Sequence, residues 1–199
     1  MVEGILSGLR YATRDDVYDP HDDTELLIEA VRAKPGEAAL DLGCGAGLVG
    51  IQLRKLGARV VCSDLNESAL RLARENAKRN NVDVMVARTD LTKGLRLGRF
   101  DVVAFNPPYL PTTPEERLSK PLNYAFDGGD DGLAPTNRFL DECQKDPPGR
   151  VFIIGSNLQG NGGVEQSAHD RGMRVRVACT KNLSWETLTV YDLSAEEAR

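Results

Sequence analysis

Only two histidines and four cysteines occur among the 199 residues, and neither set is arranged for metal or disulfide chemistry. The cysteines, at 44, 62, 143 and 179, include no C-x-x-C pair, and His21 and His169 lie far apart in the chain. No zinc site or disulfide framework is signalled, and the thiols read as buried or half-buried small apolar groups. No apolar run approaches the ~18 residues that span a bilayer, and the stretch from Met1 to Arg14 lacks the apolar core of a secretory signal. The expected setting is the cytoplasm, away from membranes. Basic charge is also short. Lys and Arg number 25 against 30 Asp and Glu, a net charge of −5, whereas affinity built on neutralising phosphates needs a concentrated basic surface. That balance disfavours a nucleic-acid partner.

What is present suits one soluble globular unit: 41% apolar and 28% charged residues in a length that supports a single hydrophobic core. The expected domain spans 1–199, with 1–35 as a cap segment and helix and 36–193 as the core. Short apolar runs alternate with amphipathic stretches, the pattern of strands joined by crossover helices. Candidate strands are Ala38–Leu42, Arg59–Ser63, Val82–Ala87, Asp101–Phe105 and Arg150–Ile154, then Arg174–Thr180 and Thr187–Leu193 with so short a connection that these two must pair antiparallel. Helices fit Thr24–Ala33, Leu48–Leu56, Glu67–Asn80, Thr136–Cys143 and Gly163–Arg171. The class is therefore α/β: a mostly parallel seven-stranded sheet with an antiparallel C-terminal pair and helices on both faces. On the third helix Leu70, Ala73 and Ala77 share one face, while Arg71, Arg74 and Lys78 share a face that reads as solvated surface. From Asn106 to Pro135 the chain carries five internal prolines and the run Asp127-Gly-Gly-Asp-Asp-Gly132, with no clear period. Such a segment at the carboxyl end of a strand suits a functional loop.

The first strand runs into Asp41-Leu-Gly43-Cys-Gly45-Ala-Gly47, which opens a helix. Glycines at alternate positions let the backbone turn tightly and approach a nucleotide-like ligand. A formal G-x-G-x-x-G also reads out at Gly45, Gly47 and Gly50, with Asp64 nineteen residues beyond Gly45, so a dinucleotide must be weighed. Asp41 tips the balance, because a carboxylate there repels a pyrophosphate and welcomes the ammonium of a methionine tail. Asp64, ending the second strand, is placed to accept from ribose hydroxyls. Asp90 reads either as a loop or capping carboxylate or as an acceptor for an adenine amino group, with Leu91 lining the ring. The implied cofactor is S-adenosyl-L-methionine.

The fourth strand runs directly into Asn106-Pro-Pro-Tyr109. Two prolines stiffen the turn and remove their own donors, so it presents acceptors. A planar NH₂ group is a poor nucleophile because its lone pair is delocalised. An enzyme that methylates it must accept its protons and aim the nitrogen. The Asn106 oxygen and the Pro107 carbonyl suit that task, and Tyr109 can pack on the planar group. The leaving group is a neutral thioether, so no metal or strong base is required.

These stretches resemble the HemK-like methyltransferases, which modify the glutamine of the Gly-Gly-Gln motif of release factors, and most of all their short archaeal and eukaryotic branch. Matching stretches are Val17-Tyr-Asp-Pro20, Asp23-Thr24, Leu26-Leu27, Asp41–Gly47, Asp64, Asp90-Leu91, Asn106–Tyr109, Asp127–Leu133 and Trp185-Glu-Thr-Leu188. The resemblance implies a Rossmann-like class I fold. It also implies cofactor contacts from Thr24, Asp41, Gly43, Asp64, Asp90, Leu91 and Asn106, with Asn106 and Pro107 binding the glutamine amide. Read from the residues alone, Thr24 merely starts a helix capped by Asp22 or Asp23. The short branch works with a small zinc-binding activator that adds to the sheet edge beside the third strand. Val82, Val84 and Val86 alternate there, as such an edge or any half-buried strand would.

Methyl transfer to a glutamine amide in a peptide chain release factor is thus the leading reading. Methylation of an exocyclic amino group on a DNA or RNA base uses the same tetrapeptide, but the acidic balance and the lack of spare chain for target recognition weigh against it. Lysine methylation needs deprotonation more than a two-acceptor clamp. An inactive cofactor-binding scaffold fits poorly with an intact Asn106 and glycine loop, and Asp41 disfavours a dehydrogenase.

Overall fold

The computed structural model describes residues 2–112, 128–160 and 162–196. Its elements are β1 (Glu3–Leu6), β2 (Leu9–Ala12), α1 (Asp22–Ala30), β3 (Ala38–Leu42), α2 (Leu48–Lys55), β4 (Arg59–Asp64), α3 (Glu67–Arg79) and β5 (Met85–Arg88). Beyond a short 3₁₀ turn at Leu97–Arg99 follow β6 (Val102–Phe105), α4 (Ala134–Lys145), β7 (Val151–Ser156), α5 (Gly163–His169), β8 (Met173–Asn182) and β9 (Thr187–Ala195).

β3 to β9 form one seven-stranded sheet in the order β5-β4-β3-β6-β7-β9-β8. The first five of these run parallel, and β9 pairs antiparallel with both β7 and β8. Every residue of β6 and β7 is buried, as expected of central strands covered on both faces. Alternation divides the core in two. Ala39, Val60, Val102, Phe152 and Ile154 meet apolar side chains of α1, α2 and α3, while Leu40, Leu42, Val103, Phe105 and Ile153 meet Phe139, Leu140 and Val164 of α4 and α5. The chain winds outward from β3 through β4 to β5 and then returns to β6 beside β3. This reversal opens a crevice at the carboxyl ends of β3 and β6, where Leu42 lies opposite Phe105.

Several expected boundaries shift. α1 starts at Asp22 with His21 as its cap residue, so Thr24 lies inside the first turn and neither Asp22 nor Asp23 caps the helix. It also stops at Ala30 rather than Ala33. α4 extends over Ala134–Lys145, longer than Thr136–Cys143, because Pro135 is well suited to the first turn. The edge strand β5 begins only at Met85. Val82 donates its N–H back to the Ala77 carbonyl and Asn81 takes φ 56°, so Val82 belongs to the turn that ends α3; Val84 precedes the strand, and both valines pack on the core. The start of the chain, expected only as a cap segment with no strands assigned to it, is a β1–β2 hairpin. Its two turn residues Ser7 and Gly8 have φ 46° and 77°, the two-residue turn that suits strand twist. Arg71, Arg74 and Lys78 are exposed, and all four cysteines are free. Asp127 and the prolines at 114 and 121 lie outside the described residues. No helix among those described is long and apolar enough to cross a membrane, and they hold no cluster of three or more metal-ligating side chains.

Candidate active site

The crevice is a cavity of about 790 Å³. All eleven residues singled out in the sequence line it: Thr24, Asp41, Gly43, Gly45, Gly47, Asp64, Asp90, Leu91, Asn106, Pro107 and Tyr109. They come from the carboxyl ends of β3, β4, β5 and β6 and from α1, so one fold feature gathers positions spread over 86 residues of chain.

At the β3 end the loop 43–47 is shaped by two close approaches. Gly47 has φ 80°, and a Cβ there would lie 2.6 Å from that of Ala73 on α3. At Gly50 a Cβ would meet the Cys62 sulfur at 2.5 Å, and its absence lets the Gly50 N–H reach the Asp41 Oδ2 at 2.8 Å. The third glycine of the formal fingerprint therefore packs helix on sheet and braces Asp41. Burial pushes the Asp41 carboxyl up to about 8, opposed by the Gly50 N–H and reinforced by the Asp64 charge. Asp64 ties the loop to β4: its Oδ2 accepts from Gly45 N at 3.0 Å and its Oδ1 from Asn66 N at 2.8 Å. Burial raises its pKa too, and these N–H groups oppose the shift. Each oxygen keeps a lone pair for a ligand.

At the far wall Asp90 is ion-paired to Lys93 and, at 3.5 Å, to Arg138, and the Lys93 hydrogen bond is the leading cause of its lowered pKa. Leu91 adopts φ 53°, a left-handed conformation that costs a side-chain-bearing residue ~1–2 kcal/mol. Nothing in the sequence signalled this strain.

At the β6 end Asn106 Nδ2 donates to Asp23 Oδ2 at 3.0 Å. Tyr18 donates its hydroxyl to the same oxygen at 2.8 Å, while Thr24 donates Oγ1 to Asp23 Oδ1 at 3.2 Å. A carboxylate only accepts, so the Asn106 amide has its nitrogen toward Asp23, and its oxygen, on the other side, has no partner among the described residues. Sequence reasoning gave Asp23 no role beyond that of one of two alternative caps, Asp22 or Asp23; the available signal was its place among matched residues beside Thr24. Tyr109 is half-buried, and burial and then the nearby Asp23 keep its hydroxyl protonated. Behind its backbone packs the run 128–132: Gly128 N donates to the Leu110 carbonyl, and a Cβ on Gly132 would lie 2.3 Å from the Tyr109 backbone carbonyl oxygen. Glu186 is buried as well, with an Oε1 that finds no partner among the described residues, while its neighbour Trp185 is exposed.

The donor set fits an adenosyl sulfonium amino acid. An acidic group sits deep at the amino-acid end, a carboxylate with spare lone pairs follows at the second strand, and an apolar shelf lies beyond. At Gly45 a Cβ would meet nothing within 4 Å, so the backbone is bare toward the cavity. Fold and site together define a class I S-adenosylmethionine-dependent methyltransferase.

Comparison with known proteins narrows this. Residues 17–117 match the Methyltransferase small domain family. MJ0928 of Methanocaldococcus jannaschii, a chain named for protein N5-glutamine methyltransferase activity, is 36% identical over 188 residues, covering 93% of this chain and 95% of that one. Human methyltransferase HEMK2 is 31% identical, covering 88% of each. The structure of E. cuniculi Mtq2 in complex with Trm112, responsible for methylation of the eRF1 translation termination factor, superposes with a TM-score of 0.74 at 28% identity, covering 91% of this chain and 99% of that one. The chain belongs to the HemK-like release factor glutamine methyltransferase family.

Proposed function

We propose that the protein methylates the side-chain amide nitrogen of a glutamine, and that its target is the Gly-Gly-Gln glutamine of a peptide chain release factor. The observation that carries this reading is the Asn106 amide, turned by Asp23 so that its oxygen is the free end. That oxygen and the Pro107 carbonyl each accept one N–H of the target NH₂, leaving the nitrogen lone pair directed along the cavity. S-adenosylmethionine supplies a methyl group on a positively charged sulfur. The nitrogen would take that methyl group as the neutral thioether leaves, and the proton it then sheds would pass from its contact with the Asn106 oxygen or the Pro107 carbonyl to water, restoring the planar amide. Tyr109 packs against the target group and, being protonated, adds no charge.

Asp41 and the backbone of Gly43, Gly45 and Gly47 hold the amino-acid tail, and Thr24 closes on it from α1. Asp64 takes the ribose hydroxyls, Asp90 accepts from the adenine amino group and Leu91 supports the ring. The open edge of β5, with Met85 59% exposed, takes a small zinc-binding activator of the Trm112 kind by strand addition.

Incubation with radiolabelled cofactor, a release factor and the same factor carrying Gln→Ala in its Gly-Gly-Gln motif tests the reading. Label on the intact factor alone is the expected result. Label on both would move the target elsewhere, and label only on added nucleic acid would transfer the clamp to a base.

A further inference from the structure

We propose that Asn76 is a positioning residue that makes the N-terminal hairpin part of the cofactor site. Asn76 lies on α3, fully buried and outside the cavity lining. Its Oδ1 accepts from Ala12 N at 2.8 Å, and its Nδ2 donates to the Ala12 carbonyl at 3.1 Å and to the Ala46 carbonyl at 2.9 Å. One turn later Asn80 repeats the first part: Oδ1 accepts from Arg10 N at 3.1 Å, and Nδ2 donates to the Arg10 carbonyl at 2.6 Å and to the Asn76 carbonyl at 2.8 Å.

The two side chains thus act as a surrogate strand. Residues four apart on a helix are separated by ~6.0 Å along its axis, and residues two apart on a strand by ~6.8 Å. Asn76 and Asn80 therefore meet Ala12 and Arg10 in register and satisfy the open edge of β2. Only Asn76 goes further. The Ala46 carbonyl it holds belongs to the peptide whose N–H, on Gly47, donates to the Cys44 carbonyl at 2.7 Å. A planar trans peptide gripped at both ends cannot rotate, so Asn76 locks the turn of the glycine loop. Ala12 and Ala46 also share a small apolar cluster with Val17, Ala69 and Leu72, so the hairpin and loop pack as well as bond through the same spot.

Hairpin docking and cofactor binding are consequently one coupled equilibrium, and each must favour the other. This rests on the glycine loop holding S-adenosylmethionine and is independent of the methyl acceptor. Asn80 provides the internal control, since it anchors the same strand and does not touch the loop. Calorimetric titration with S-adenosylmethionine should give a Kd about tenfold weaker for Asn76→Ala, the size of one buried hydrogen bond, and within about twofold of wild type for Asn80→Ala. In the wild-type protein, saturating cofactor should slow amide hydrogen exchange at Arg10 and Ala12. This second readout remains decisive if Asn76→Ala does not fold. Equal losses in the two variants, or hairpin exchange indifferent to cofactor, would overturn the coupling. A wild-type protein that did not bind S-adenosylmethionine would overturn the cofactor reading and the coupling with it.

Discussion

An acceptor-only group beside an amide decides which end of that amide is offered to a substrate, and Asp23 does this for Asn106. Changing Asp23 to Asn gives a partner that can donate or accept, so the orientation is no longer fixed. Turnover should fall by up to about a hundredfold while the Kd for cofactor stays within about twofold. Unchanged turnover would show that something else aims Asn106. Asp41 makes a different prediction. Its carboxyl titrates near 8 in the folded protein and near 4 when unfolded, so its neutral form is the one the fold favours. Its contribution to stability is complete below about pH 4 and is lost as the pH rises through about 8. Thermal melts of cofactor-free protein should therefore show Asp41→Asn gaining on wild type between those values. The ammonium proposed to bind beside it would reverse the preference and expel the proton. At pH 7, titration calorimetry in buffers of different ionisation enthalpy should show proton release on cofactor binding by wild type and none by Asp41→Asn. Buffer-independent heats in wild type would separate Asp41 from the amino-acid tail.

Loops behind the reacting end matter as elements. The Gly128–Gly132 run supports Tyr109 from behind, and Gly132 combines φ 73° with no room for a Cβ. Gly132→Ala should lower kcat about tenfold or more by displacing Tyr109, with cofactor affinity intact; parallel losses in kcat and cofactor affinity would argue for general unfolding instead. The same scale shows what could be read beforehand. Central strands such as Ala38–Leu42 were legible because a short apolar run followed by glycines has few alternatives. β5 was not, because Val82 and Val84 look like strand residues, whereas a backbone hydrogen bond commits Val82 to ending α3 and Val84 lies before the first paired residue, Met85. The hairpin was also missed, although Ser7-Gly8 between Ile5 and Leu9 carries the composition of a two-residue turn. The cavity residues were legible as positions and not as partners. Nothing local in the sequence reveals that Asp23 and Asn106, 83 residues apart, share a hydrogen bond or that Leu91 is strained.

For the whole molecule, the strand order leaves β5 at one margin with an exposed Met85, far around the sheet from the antiparallel β9–β8 end. An activator added there, as we propose, would extend the sheet away from Asn106. Its presence should raise the melting temperature in a concentration-dependent way, and Met85→Asp should remove that rise while leaving the melting of the lone chain nearly unchanged. A rise that survives the substitution would place the contact elsewhere. The sequence was informative at this scale through order alone: glycine loop, two acidic strand ends and the proline turn follow one another as a reversing parallel sheet requires.

Leu91 carries a bill that an engineer would notice first. Screening this chain for heat tolerance would favour glycine at that position, since the backbone already bends the way glycine prefers. The hardier variant would have lost the hydrocarbon that we propose supports the purine, so a gain on a melting curve would be read out as weaker nucleoside discrimination.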